Sequence, residues 1–224
     1  MKNSRTILKF FLKISFSFLF IFLITKHSFS NDIKIEIQGN NFTDEDVILS
    51  LIKSDSISLS EDYSNYIIKT LDNSQLFEEV SVKILENKFI ILISEYPNIN
   101  KLYFEENERL KDDELLKISN ELKLSNLNPT NINKYILEVT KIYESFGYND
   151  LNLTYRSILY NETNTADIIF NIKEGELTKI NNIFFSGNES VDNQDLKSLI
   201  NSKNKSLTNI FANNNYKKFA ADND

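Results

Sequence analysis

The residues with the most evident chemical capacity in this chain are carboxylates. Asp44-Glu45-Asp46 and Asp112-Asp113-Glu114 are runs of three, and carboxylates that close together suggest a divalent-cation site or an acid and base pair. The supporting donors are missing: the chain has one histidine, His27, and no cysteine. Each run stands directly before an apolar pattern at helical spacing. Acidic groups in a helix's first turn oppose the positive end of its dipole, and that accounts for both runs. Gly39-Asn40 and Gly187-Asn188 raise phosphate binding, but no glycine-rich loop or Walker lysine accompanies them, so they read as turns. Tyr143, Phe146 and Tyr148 suggest a ligand platform, yet their helical spacing beside an apolar face favours core packing. No catalytic, metal-ligating or cofactor-binding residue is assigned, no cofactor is expected, and the chain is expected not to be an enzyme.

The elements that hold these residues belong to an exported chain. Lys2, Arg5, Lys9 and Lys13 form a basic head, Ile14 to Ile24 is an apolar stretch of 11 residues interrupted only by serines, and Ser28-Phe29-Ser30 is a small-x-small site. The pattern predicts a signal peptide over 1–30, cleaved between Ser30 and Asn31. The run is short of the roughly 20 apolar residues that span a bilayer. Removal takes away His27 and five of the 25 basic residues but none of the 32 acidic ones, leaving a net charge of −12. Such a balance opposes nucleic acid as a partner. With no cysteine, a disulfide framework, a thiolate nucleophile and a lipid-modified N-terminal cysteine are excluded, and stability must come from the 41% of residues that are hydrophobic.

Self-comparison divides the remainder into repeats. Ile35-Glu36-Ile37-Gln38-Gly39-Asn40, Leu102-Tyr103-Phe104-Glu105-Glu106-Asn107 and Ile183-Phe184-Phe185-Ser186-Gly187-Asn188 each read as a strand ending in a turn closed by asparagine, at spacings of 67 and 81 residues. Eight and eleven residues after each asparagine come Ile48 and Leu51, Leu115 and Ile118, then Leu196 and Leu199, the stripe of a first helix. Ile67, Ile68 and Leu71, matched by Ile136, Val139, Ile142 and Phe146, form the stripe of a second. A hairpin follows. Val80, Val82 and Ile84 alternate with Ser81 and Lys83, and Leu151, Leu153 and Tyr155 with Asn152 and Thr154. The next strands, Phe89 to Ile93 and Ile168 to Phe170, are nearly continuous apolar runs and so read as central, beyond turns at Glu86-Asn87 and Asn161 to Asn164.

Each unit is therefore expected to be β-α-α-β-β, a three-stranded mixed sheet with two helices on one face, in the α+β class. All four glycines fall at predicted boundaries: Gly39 and Gly187 after first strands, Gly147 as a helix C-cap, Gly175 after a last strand. Pro97 and Pro129 are also placed between elements. The expected division is 1–30 signal peptide, 31–96 unit one, 97–175 unit two, and 176–224 an incomplete unit three with a first strand, one helix and the start of a second.

These residues resemble the POTRA domains of the BamA family of outer-membrane assembly proteins. The resemblance is carried by Leu76-Phe77-Glu78-Glu79-Val80-Ser81-Val82, by Ser94-Glu95-Tyr96-Pro97-Asn98-Ile99 running into Leu102-Tyr103-Phe104, by Tyr143 to Tyr148, and by Lys173-Glu174-Gly175 running into Ile183-Phe184-Phe185-Ser186-Gly187-Asn188. Glu106 departs from it, standing where the family usually has glycine. The resemblance implies a periplasmic scaffold on the inner face of the outer membrane of a Gram-negative bacterium. Its implied partners are unfolded outer-membrane proteins, assembly-complex lipoproteins, and the membrane itself through a C-terminal barrel that this sequence lacks; the sequence is expected to be a truncation or fragment. TamA-type and two-partner-secretion transporters, and FtsQ-like division proteins, are the alternatives. Physical reasoning adds a mechanism. The less apolar strand of each hairpin, Glu79, Val80, Ser81, Val82, Lys83 and Ile84 in unit one and Asp150, Leu151, Asn152, Leu153, Thr154 and Tyr155 in unit two, is expected at a sheet edge, where free backbone groups accept another chain.

Overall fold

The computed structural model of the protein describes residues 33–54, 57–204 and 213–224. The expected signal peptide and its Ser30 and Asn31 cleavage position lie outside the described residues.

Unit one runs β1 (Lys34–Gln38), α1 (Glu45–Leu51), α2 (Glu61–Asn73), β2 (Phe77–Leu85) and β3 (Lys88–Glu95). Unit two repeats the order with β4 (Asn98–Glu105), α3 (Asp112–Glu121), α4 (Pro129–Phe146), β5 (Asn152–Tyr160) and β6 (Thr165–Lys173). The two sheets are ordered β1-β3-β2 and β4-β6-β5, with the first strand parallel to the central one and the hairpin partner antiparallel. This is the expected α+β unit, a three-stranded mixed sheet carrying two helices.

Alternation decides what the helices cover. Phe89, Ile91 and Ile93 of β3 are buried against Ile48, Ile67 and Leu71 of α1 and α2, while Lys88, Ile90 and Leu92 turn to the open face. In unit two, Ile168, Phe170 and Ile172 meet Leu115, Ile132, Tyr135, Val139 and Tyr143. Each such side chain contributes about 1.5–3 kcal/mol by leaving water. Tyr143 is thus a core residue, its ring edge-on to Tyr148.

Local signals set the helix ends. The Ser60 hydroxyl accepts from the Tyr63 N–H at 3.2 Å, and the Asn128 side chain accepts from the Thr130 N–H at 2.8 Å. Pro129 is the first residue of α4, not part of the connection before it; a residue without an N–H suits that position because the first helical donors have no intrahelical acceptor. Gly147 closes α4 at φ 102°, and a Cβ there would stand 3.0 Å from the Asn215 Cβ.

Residues 176–224 depart from expectation. They contain α5 (Asn193–Leu199) and α6 (Lys218–Asp222), but Ile183-Phe184-Phe185 forms no strand. In both complete units the first strand finds its hydrogen bonds on the third, and among the described residues nothing here supplies that partner. Phe184 and Leu199 consequently stand 86% and 77% exposed, and a hollow of about 660 Å³ opens beside Ile180, Ile183, Phe185, Ile200 and Ala221.

Candidate functional site

The hairpin strands β2 and β5 are both at sheet edges. Glu79, Val80, Ser81, Val82, Lys83 and Ile84 all lie in β2, with Val80 and Val82 half-buried towards the helices and Ser81 and Lys83 exposed. Asn152, Leu153, Thr154 and Tyr155 begin β5. Asp150 and Leu151 do not belong to it: Leu151 packs on the unit-two core, and the Asp150 carbonyl lies 3.0 Å from where a Gly175 Cβ would be. The backbone there is engaged in bringing the chain in from Gly147. The strand continues instead to Tyr160, adding Arg156, Ser157, Ile158, Leu159 and Tyr160 to the edge.

The hairpin geometry identifies the open backbone groups of β2. Its two-residue turn, with Glu86 at φ 53°, is closed by the Leu85·Lys88 pair. In a tight hairpin the closing pair is hydrogen-bonded and bonding alternates from there, so Ser81, Lys83 and Leu85 bond to β3 while Val80, Val82 and Ile84 direct N–H and C=O groups outward. A bulge between Phe77 and Glu79 interrupts the ladder at its start.

Polar bridges brace the open faces. Arg156 on β5 makes bonds of 3.1 and 2.8 Å to Glu105 on β4, spanning β6, and its guanidinium holds the Glu105 carboxyl below the usual range. Lys88 pairs with Glu36 across β3 and β1 and lowers that carboxyl in the same way. Asp167, buried in β6, accepts from Asn100 Nδ2 at 2.8 Å and from the Tyr160 hydroxyl at 3.0 Å, which pushes the phenol's titration up.

The two acidic runs stand at helix starts. Asp44 is the N-cap of α1 with Glu45 and Asp46 in its first turn, and Asp112, Asp113 and Glu114 open α3. Among the described residues no group of three or more histidine, cysteine, aspartate or glutamate side chains is placed to hold a metal ion. The recurring asparagine has one task in all three repeats: the Nδ2 atoms of Asn40, Asn107 and Asn188 donate to the carbonyls of Thr43, Leu110 and Val191, three residues on, at 3.4, 2.9 and 2.9 Å. Gly39 and Gly187 precede two of these asparagines at positive φ, Glu106 the third at φ 64°, and Gly175 also lies at positive φ.

Sequence reasoning missed a pair of glutamates. The Glu95 carboxylate accepts from the Phe42 and Thr43 N–H groups at 3.0 and 2.6 Å. Glu174 accepts from Glu108 and Arg109 N–H, both at 2.7 Å, and from the Tyr143 hydroxyl at 2.8 Å. Glu95 is the last residue of β3 and Glu174 the residue after β6, and each holds the loop after its unit's first strand. The available signal was their matching place in the repeat.

A family model, POTRA, described as a surface antigen variable number repeat, matches residues 97–175. The chain is 23% identical over 200 residues to the outer membrane protein assembly factor BamA of Neorickettsia risticii (strain Illinois), a match over 88% of this chain and 27% of that protein. The chain thus spans about a quarter of the length of this relative. Among solved structures it is similar to the N-terminal domain of Omp85 from Thermosynechococcus elongatus (TM-score 0.47, 11% identity, 84% of this chain and 81% of that one). It is also similar to POTRA1-2 of Omp85 from Anabaena (TM-score 0.40, 16% identity, 64% and 92%).

Proposed function

With residues 97–175 a POTRA repeat and the chain similar to an outer-membrane assembly factor, we propose that this protein is a periplasmic scaffold region that receives unfolded outer-membrane polypeptides by strand addition at β2 and β5. The observation that carries this reading is that the same strand of two successive units stands at a sheet edge. Strand addition binds through main-chain hydrogen bonds and discriminates weakly among side chains, which suits clients of varied sequence. Of the two edges β5 is the better acceptor. Ile158, Leu159 and Tyr160 are consecutive and exposed, whereas β2 carries Glu78, Glu79, Lys83 and a bulge, features that blunt an edge. Docking of assembly lipoproteins and attachment to the outer membrane through a C-terminal barrel belong to the same proposal, which includes no catalytic step and no cofactor.

Leu159→Lys and Ile84→Lys test it. Both side chains are already exposed, so the melting temperature should stay at the native value, while Leu159→Lys should weaken capture of an unfolded outer-membrane β-barrel protein by about tenfold, the equivalent of 1.4 kcal/mol, and Ile84→Lys by less. Native affinity in both variants would mean that these edges are not the binding surface.

A further inference from the structure

The C-terminal end of a helix has carbonyls without intrahelical partners, and where it is covered by protein something must donate to them. Just beyond the end of α2, one residue past its C-cap Ser74, the Gln75 carbonyl, whose residue sits at φ 62°, accepts from Asn126 Nδ2 at 2.7 Å and from Asn128 Nδ2 at 3.5 Å. Both asparagines belong to unit two, in the strap between α3 and α4, and Asn126 is only 3% exposed. Their orientation is set from within unit two. The Asn126 Oδ1 accepts from the Asn128 N–H at 3.2 Å and the Asn128 Oδ1 from the Thr130 N–H, so both carboxamide nitrogens must face unit one.

A similar construction recurs one unit later, with the last helical residue itself as acceptor. Asn215 donates from Nδ2 to the Phe146 carbonyl at the end of α4, at 3.3 Å. Asn126 and Asn215 each lie three residues before the next helix, α4 or α6, and each bridges the start of that unit's first segment, Asn98 in one case and Lys179 in the other. The flanking backbone bonds match as well: Ile99 N–H to the Ser125 carbonyl corresponds to Ile180 N–H to Asn214, and Leu127 N–H to Pro97 corresponds to Tyr216 N–H to Thr178. The second joint also has a return bond, from Asn149 Nδ2 of unit two to the Tyr216 carbonyl at 3.1 Å.

We propose that the C-terminal end of each unit's second helix is the docking surface for the following unit, and that an asparagine three residues before the next unit's second helix is the group that docks there and fixes the angle between units. The contact is read through a backbone carbonyl, so the side chain of the accepting residue is free to vary, as Gln75 and Phe146 do. At the first joint the key is a carboxamide because one atom accepts within its own unit while the other donates across the joint.

The chain has no cysteine, so two introduced thiols carry spin labels without background. With Lys69→Cys and Lys117→Cys, on exposed positions of α2 and α3, pulsed electron resonance should find one narrow distance in the full chain. Adding Asn126→Asp and Asn128→Asp preserves both acceptor atoms, including the α4 cap, but sets carboxylates against the Gln75 carbonyl. The narrow distance should give way to a broad distribution while the thermal transition stays at its native position. Gln75→Gly should keep the narrow distance. Asn215→Asp, with labels at Lys117→Cys and Lys197→Cys, should broaden the second joint in the same manner. The proposal is overturned if the aspartate variants retain narrow distances, if unit two loses its thermal transition with them, or if Gln75→Gly alone broadens the distribution.

Discussion

Gly39 and Gly187 hold the same place in the repeat, at φ 92° and 80°, yet their surroundings differ. A Cβ at Gly39 would collide with the Ile93 backbone carbonyl, whereas at Gly187 nothing lies within 4 Å. Gly187→Ala should therefore cost only the left-handed backbone term, about 1–2 kcal/mol. Gly39→Ala adds a clash with a strand backbone that cannot yield, and unit one should lose about 3 kcal/mol or more in urea unfolding. Glu174→Ala should destabilise unit two by about 2–3 kcal/mol, since it strands two loop N–H groups and the Tyr143 hydroxyl. That hydroxyl and Tyr135 also set an alkaline limit. Burial pushes both phenols above their ordinary value of 10.0, with the Glu174 carboxylate adding to the effect at Tyr143. A raised pKa means stability fully present below about pH 10 and lost as pH rises past it, because the unfolded chain releases the protons first. Tyr135→Phe should make the stability of unit two less dependent on pH in that range, as read by denaturant midpoints. The asparagines and glycines were legible in the sequence because recurrence marks them. The role of Glu95 and Glu174 was not, because it depends on a loop 52 to 66 residues away, and their matching place in the repeat marks the residues without expressing that contact.

At the scale of elements, the central strands were the most readable, since a strand flanked by two others carries an apolar run and few other segments do. Phe170 lies under Phe104, Tyr135 and Tyr155, and Phe170→Ala should cost about 3–5 kcal/mol, enough to unfold unit two in a melting experiment while unit one persists. The second helices were half read. The stripe through Ile136, Val139 and Ile142 was evident, but the fully buried Ile132 and Tyr135 one turn earlier were obscured by Pro129, a residue that marks a connection as often as a helix start. The far half of β5 was missed for a different reason. Ile158, Leu159 and Tyr160 are three neighbouring apolar residues on an edge, and neither alternation nor a buried run describes them.

For the whole molecule, two units are complete, and the described residues of 176–224 include two helices and a segment, Ile183 to Phe185, that is not in a strand. Hydrogen exchange should report this: amides from Phe89 to Ile93 and from Ile168 to Phe170 should open only with unfolding of their unit, and those of Ile183 to Phe185, lacking a ladder, should exchange fastest. Equal protection would mean that the segment finds a partner strand in solution. The pairing inside each unit also determines how the molecule answers tension. The chain enters unit one at β1 and leaves it at β3, enters unit two at β4 and leaves it at β6, and in each case these two strands are parallel neighbours. Only Tyr96 and Pro97 separate the exit from one sheet and the entry to the next. Stretching the protein end to end therefore pulls each parallel ladder in shear, with all its hydrogen bonds resisting together, and leaves β2 and β5 outside the line of force. An edge that holds another polypeptide would keep its shape while the rest of the chain is under load.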